Sequence, residues 1–76
     1  MKEFLEYVAK HLVDIPEQVS IEIEEKEGKH VFMLKVAQTD VGKIIGKSGK
    51  TAMALRVLLR AVAAKEGKRA LLDIVG

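Results

Sequence analysis

Six residues between Lys43 and Lys50 combine positive charge with positions that have no bulk: Lys43, Gly46, Lys47, Ser48, Gly49 and Lys50. This mixture suits the holding of a phosphodiester backbone. Gly46 and Gly49 carry no Cβ, so an anion can approach the main chain and the turn between them can be tight. If one helix ends at Gly46 and another starts just after Gly49, the second presents unpaired N–H groups and the positive end of its dipole to that anion. Lys47 and Ser48 at the tip are the expected contacts, with Lys43 and Lys50 beside them.

Other chemistries fit less well. A nucleotide-binding P-loop needs four residues between its first glycine and Gly-Lys-Ser/Thr, whereas Gly42 and Gly46 have three between them. No strand runs directly into Gly42, and no second acidic motif for Mg²⁺ is apparent. There is no cysteine, and His11 and His30 stand far apart, so no metal site is expected. No carboxylate pair sits beside a histidine in a pattern that would specify catalysis. The expectation is a binding protein without cofactor or metal, not an enzyme. Met1-Lys2-Glu3-Phe4 is followed by no apolar leader segment, and no apolar run approaches the ~20 residues of a membrane span. A soluble, cytoplasmic chain is expected.

The elements that must position the loop are legible from spacing. Phe4, Leu5, Val8, Leu12 and Ile15 fall at helical intervals and predict a helix over residues 2–13, ended by Pro16. Val19, Ile21 and Ile23 alternate with Ser20, Glu22 and Glu24, predicting a strand over 19–25 with one buried face. A turn at Glu25–Lys29 uses Gly28. A second strand over 30–37 then places Phe32, Leu34 and Val36 on the core side, and the two form an antiparallel hairpin. Thr39 or Asp40 is expected to cap a short helix over Val41–Ile45 with its side-chain oxygen. A longer helix over 50–65 has Ala52, Leu55, Leu59 and Val62 at core spacing and stops at Gly67. A last strand over 69–75 alternates Ala70, Leu72 and Ile74 with Leu71, Asp73 and Val75. The fold class is therefore α+β, an α-β-β-α-α-β two-layer sandwich with a three-stranded sheet, forming a single domain over residues 1–76.

Charge is polarised along the chain. Residues 1–30 carry eight acidic groups against four basic ones, and residues 31–76 carry nine basic against three acidic. A polyanion is the natural partner of the second half, although a solvated Lys/Glu surface would read the same way. The helix over 50–65 poses a separate problem. Beyond a narrow stripe of Arg56 and Arg60 lie Met53, Ala54, Val57, Leu58 and Ala61, where a surface helix should be polar. These five are the expected interface of a dimer; the alternative is a wider core. At 76 residues a single core is small, and burying this strip would add to it.

Ile44-Ile45-Gly46-Lys47-Ser48-Gly49-Lys50, set between two helices, resembles the G-x-x-G loop of KH domains, which grips about four nucleotides. The element order resembles that of type II KH domains over nearly the whole chain. Asp40 to Thr51, followed by an apolar helix bearing Arg56, is similar to the small stand-alone bacterial KH proteins of the KhpA-like family. The resemblance implies binding of single-stranded RNA through Gly46–Gly49. Bases would lie in a groove walled by the two helices and the neighbouring strand, with Ile44, Ile45 and Val41 as its apolar floor and Arg56 facing the RNA. For Ile44 and Ile45 plain core packing is the competing assignment. The resemblance further implies an RNA chaperone, paired as a homodimer or with a larger KhpB-like KH protein and linked to cell-wall growth and cell length. Phe4, Tyr7 and Phe32 are the only aromatic residues and form no evident stacking platform, which implies weak, unselective binding by one copy. A different function remains open: a protein-interaction subunit in which the loop has a minor role.

Overall fold

The structure is a computed structural model that describes residues 2–76. Its order is α1 (Lys2–Leu12), β1 (Ser20–Lys26), β2 (Lys29–Lys35), α2 (Val41–Ile45), α3 (Lys50–Lys65) and β3 (Arg69–Val75). Single 3₁₀ turns occupy Pro16–Gln18, Gln38–Asp40 and Lys47–Gly49. The α+β class and the α-β-β-α-α-β order agree with the expectation. No helix among the described residues is long and apolar enough to cross a membrane.

The sheet order is β1-β2-β3. β1 and β2 are antiparallel, with Ile21 opposite Leu34 and Ile23 opposite Phe32. β3 lies parallel to β2, with Phe32 opposite Leu72 and Leu34 opposite Ile74. The hairpin link is tighter than expected. Only Glu27 and Gly28 lie between the strands, at φ 53° and 77°, so both central residues are left-handed as a type I′ turn requires. The second strand ends at Lys35 rather than 37, and Val36 donates its N–H to the Val75 carbonyl at 3.1 Å.

Side chains of period two on the sheet meet side chains of helical period from α1 and α3. Leu5, Ala9, Phe32, Leu34, Ile44, Leu55, Leu59, Ala63 and Leu72 form the centre of the core. Four expected positions shift. Phe4 and Leu12 flank the buried Leu5–Ala9 line and stay exposed. Ile23 shares the helix side with Phe32 but is 46% exposed, because it lies in the half of edge strand β1 that the helices leave uncovered. On α3 the buried line runs Ala52, Leu55, Leu59, Ala63, leaving Val62 half-buried. Gly67, at φ 70°, ends α3. Lys68 donates to the Ala63 carbonyl at 2.9 Å and Gly67 to that of Ala64 at 3.0 Å, the paired closure of a Schellman motif.

The expected cap of α2 is corrected. Asp40 stands at the N-cap, yet its side chain makes no capping bond. Instead its carboxylate, 1% exposed, turns toward the end of α1. Oδ1 accepts the Asp14 N–H at 3.1 Å and Oδ2 the Ile15 N–H at 3.0 Å. Two main-chain donors in the turn after α1 outcompete the local cap, because a buried carboxylate needs several donors to offset its lost hydration.

Candidate nucleic-acid interface

α2 ends abruptly at Gly46. Its N–H bonds to the Gly42 carbonyl at 2.8 Å, and its backbone then takes φ 76°, ψ 178°, a region essentially reserved for glycine. The chain is pressed against the next helix there: a Cβ on Gly46 would lie 2.6 Å from the Thr51 Cβ. Lys47, Ser48 and Gly49 follow as one turn, closed by Gly49 N–H to the Gly46 carbonyl at 3.2 Å. Ser48 (φ 57°, ψ 27°) and Gly49 (φ 74°, ψ 10°) are both left-handed. The Lys47 and Ser48 N–H groups enter no turn or capping bond. Successive main-chain amides in such conformations form anion-binding concavities.

The first turn of α3 completes the arrangement. Its N-cap is Gly49, which has no side chain to satisfy the free amides, and its first turn contains no acidic residue. The sixteen-residue helix therefore offers an uncapped positive end to solvent. A Cβ at Gly49 would meet nothing within 4 Å, so the outer surface of the turn is open. Lys47, Ser48 and Lys50 are exposed around it. This geometry can hold phosphate oxygens by amides, a hydroxyl and two ammonium groups; among these residues it contains no general base or nucleophile pairing.

The other expected contacts are placed differently. Lys43 is exposed but forms an ion pair with Asp14 across the α1–α2 junction. Asp14 raises the Lys43 pKa above the ordinary lysine value, first by the hydrogen bond and then by its charge, while Asp40 adds a smaller upward pull. Ile44 is fully buried in the core, whereas Ile45 is 39% exposed. Val41 is half-buried and packs against the core. Of the three residues expected on a groove floor, only Ile45 turns outward.

An open groove lies between α3 and the sheet. Its volume is about 400 Å³, and Arg56, Arg60, Met33, Leu71 and Asp73 are among its lining residues. Arg56 is half-buried there, and its Nε donates to the outward carbonyl of Leu72 on β3 at 3.4 Å. At 1.5 Å per residue, Arg56 lies about 9 Å along α3 from Lys50. The sequence could not reveal this groove, because it depends on β3 pairing in parallel beside β2 and leaving its outer edge next to α3.

The second expected surface is open to solvent. Met53, Val57 and Leu58 are 65%, 57% and 48% exposed, and Ala54 and Ala61 are exposed beside them. These five residues are not part of the intramolecular core.

Residues 2–74 match the family model for the KhpA/KhpB KH domain. The RNA-binding protein KhpA of Chlamydia pneumoniae is 49% identical over 77 residues, covering 99% of this chain and 96% of that protein. The RNA-binding protein KhpA of Clostridium acetobutylicum is 44% identical over 75 residues, covering 99% of this chain and 100% of its own. That of Borreliella burgdorferi is 44% identical over 73 residues, covering 96% and 89%. Among solved structures, Aquifex aeolicus Era bound to GDP.AlF4- superposes with a TM-score of 0.63 at 17% identity. The chain spans 29% of Era and 97% of its own length in that match, a likeness of fold alone.

Proposed function

The chain belongs to the KhpA/KhpB KH-domain family, which is not a family of enzymes, and on that premise we propose that it binds single-stranded RNA through the turn Gly46–Gly49. The observation that carries this reading is the uncapped N-terminus of α3 behind an exposed turn whose Lys47 and Ser48 amides are free. Lys47, Ser48 and Lys50 contact the sugar-phosphate backbone, Lys43 stands in reserve, and Gly46 and Gly49 set the turn. The next bases run along α3 past Ile45 toward Arg56 and the β3 edge. Ile44 supports this surface from beneath.

Fluorescence anisotropy with a labelled oligouridylate tests the reading. Lys47→Asp combined with Ser48→Asp should abolish binding while circular dichroism stays unchanged, since acids at a helix N-terminus repel phosphate without harming the helix. Undiminished binding by that variant would remove the turn from the function.

A second surface serves assembly in the same reading. Met53, Ala54, Val57, Leu58 and Ala61 form an exposed apolar strip of the kind that marks a protein interface, and small side chains let two helices approach closely. Pairing through it, with a second copy or with a KhpB-like KH protein, places two weak RNA clamps together and raises avidity without new contacts. Sedimentation of the wild type against Val57→Glu separates the dimer from a monomer. A role as a cytoplasmic RNA chaperone, acting with such a partner in cell-wall biogenesis and cell-length control, is supported by family likeness alone. The competing reading, an interaction subunit with a minor RNA role, requires Val57→Glu to abolish function while the loop variant leaves it intact.

A further inference from the structure

The strand register gathers charge that no linear reading shows. Lys26 lies opposite Lys29 and Lys29 opposite Arg69. Partners across strands share a face, so three cations form one row across the end of the sheet, about 5 Å apart from strand to strand. Like charges directly opposite destabilise a sheet. The fold adds to the row instead of relieving it. Lys29, Arg60, Lys68 and Arg69 surround a basin of about 370 Å³ floored by Ala70 and Leu71, and no carboxylate lines it. The neighbouring acids are peripheral. Glu66 approaches Lys68 only to 3.9 Å, with both side chains nearly half exposed. Glu24, opposite Val31 in the next row on that sheet face, and Asp73 line the adjoining groove but not the basin, and Glu27 sits in the hairpin turn.

This basin is continuous with the groove beside β3, because Arg60 and Leu71 line both. It also lies at the opposite end of α3 from the Gly46–Gly49 turn: Arg60 stands about 15 Å along the helix axis from Lys50. An anion-binding turn, a groove bearing Arg56 and Arg60, and a four-cation basin therefore follow one another along one flank of α3.

We propose that the basin of Lys29, Arg60, Lys68 and Arg69 is a second phosphate-contact surface. A strand held at the turn runs the length of α3 and is gripped again at its far end. The footprint on one copy then exceeds the short stretch that the turn alone can hold. This inference rests on the turn binding RNA and adds to it the length of strand recognised. Concentrated positive charge with no acid lining the basin favours a regular polyanion, and its place along the same helix that begins at the turn favours the same RNA strand over an acidic peptide.

A uridylate tetramer and decamer, each titrated against the wild type and the triple variant Lys29→Ala, Lys68→Ala, Arg69→Ala over a range of salt, test it. The wild type should bind the decamer with a log–log salt slope steeper than the tetramer's by about 2, at roughly 0.7 per contacted phosphate for three contacts. The triple variant should lose about tenfold or more on the decamer, flatten its slope to the tetramer's, and leave tetramer binding unchanged. Its melting temperature should hold or rise, because like-charge pairs are removed. Equal loss on both oligonucleotides, or loss on neither, overturns the second surface while leaving the turn's role standing. Failure of the wild type to bind either one overturns the role of the turn and this inference with it. Displacement of the decamer by decaglutamate as readily as by unlabelled decamer assigns the basin to an acidic peptide and overturns it as well.

Discussion

The carboxylate of Asp40 accepts the backbone N–H of Ile15 at 3.0 Å and so fastens the chain after α1 to the start of α2. The neighbouring Asp14 N–H is held by the other oxygen at 3.1 Å. This is the one buried charged side chain among the described residues, and it stands at the start of the helix that leads into the Gly46–Gly49 turn.

Asp40→Ala should therefore leave two inward-facing amides without a partner and destabilise the fold by about 3 kcal/mol, since hydrogen bonds to charged groups contribute roughly 1.5–3 kcal/mol each. Asp40→Asn, which keeps an acceptor oxygen, should cost about half as much. Urea denaturation followed by circular dichroism measures both. An Ala variant as stable as the wild type would show that the tether carries no weight.

The two glycines of the turn should respond unequally. Gly46→Ala brings a methyl group into Thr51 and forces a strained backbone, for a loss of about 3 kcal/mol or more from overpacking and strain together. Gly49→Ala meets open space and should cost only the left-handed penalty of about 1–2 kcal/mol. The latter variant should fold yet bind RNA more weakly, because its new methyl stands on the outer surface of the turn. Thermal melts and anisotropy on the same samples separate the two effects.

Asp14 restrains a cation beside the turn. Asp14→Asn should release Lys43 and strengthen RNA binding by about twofold to fivefold at low salt, the equivalent of an exposed ion pair. The sign with pH follows from the lysine. Its pKa is raised in the folded state, so the pair is intact at neutral pH and is lost only as the pH climbs above the ordinary lysine range. Anisotropy titrations of both proteins near neutral pH should therefore show a constant ratio of affinities. Weaker binding by the Asn variant would mean that Asp14 orients Lys43 rather than withholding it.

The hairpin offers a stabilising substitution. Glu27 occupies a left-handed position that asparagine accepts more readily. Glu27→Asn should raise stability by about 0.5–1 kcal/mol, a shift of roughly 2–8 °C in melting temperature for a domain of this size. A calorimetric melt decides it.

Much of this was legible in the sequence because the signals were local. Gly46 and Gly49 punctuated two apolar-periodic segments, and alternation from Val19 to Glu24 could only be a half-buried strand. What was not legible depends on distant parts of the chain meeting. Asp40 reads as a cap until the turn after α1 supplies competing amides. Lys43 reads as free until Asp14 folds beside it. Ile44 and Ile45 are indistinguishable by type, and only the packing of α2 buries one and exposes the other. The cationic row of Lys26, Lys29 and Arg69 needs the register of three strands, two of them joined through a long crossover. Arg56 was expected to face RNA from the resemblance to KH domains, but its partner, the Leu72 carbonyl, follows from β3 being an edge.

The turn is held by contacts within the chain itself. Gly49 is bonded to Gly46, Ser48 sits in its uncommon backbone basin, and Thr51 lies close against Gly46. Were a strand held there as proposed, few torsions of the protein would freeze, and the disorder surrendered on association would fall mostly on the nucleic acid. A guest whose own chain is stiffened beforehand, by stacked purines for instance, should linger on this surface longer than a limp one making the same contacts.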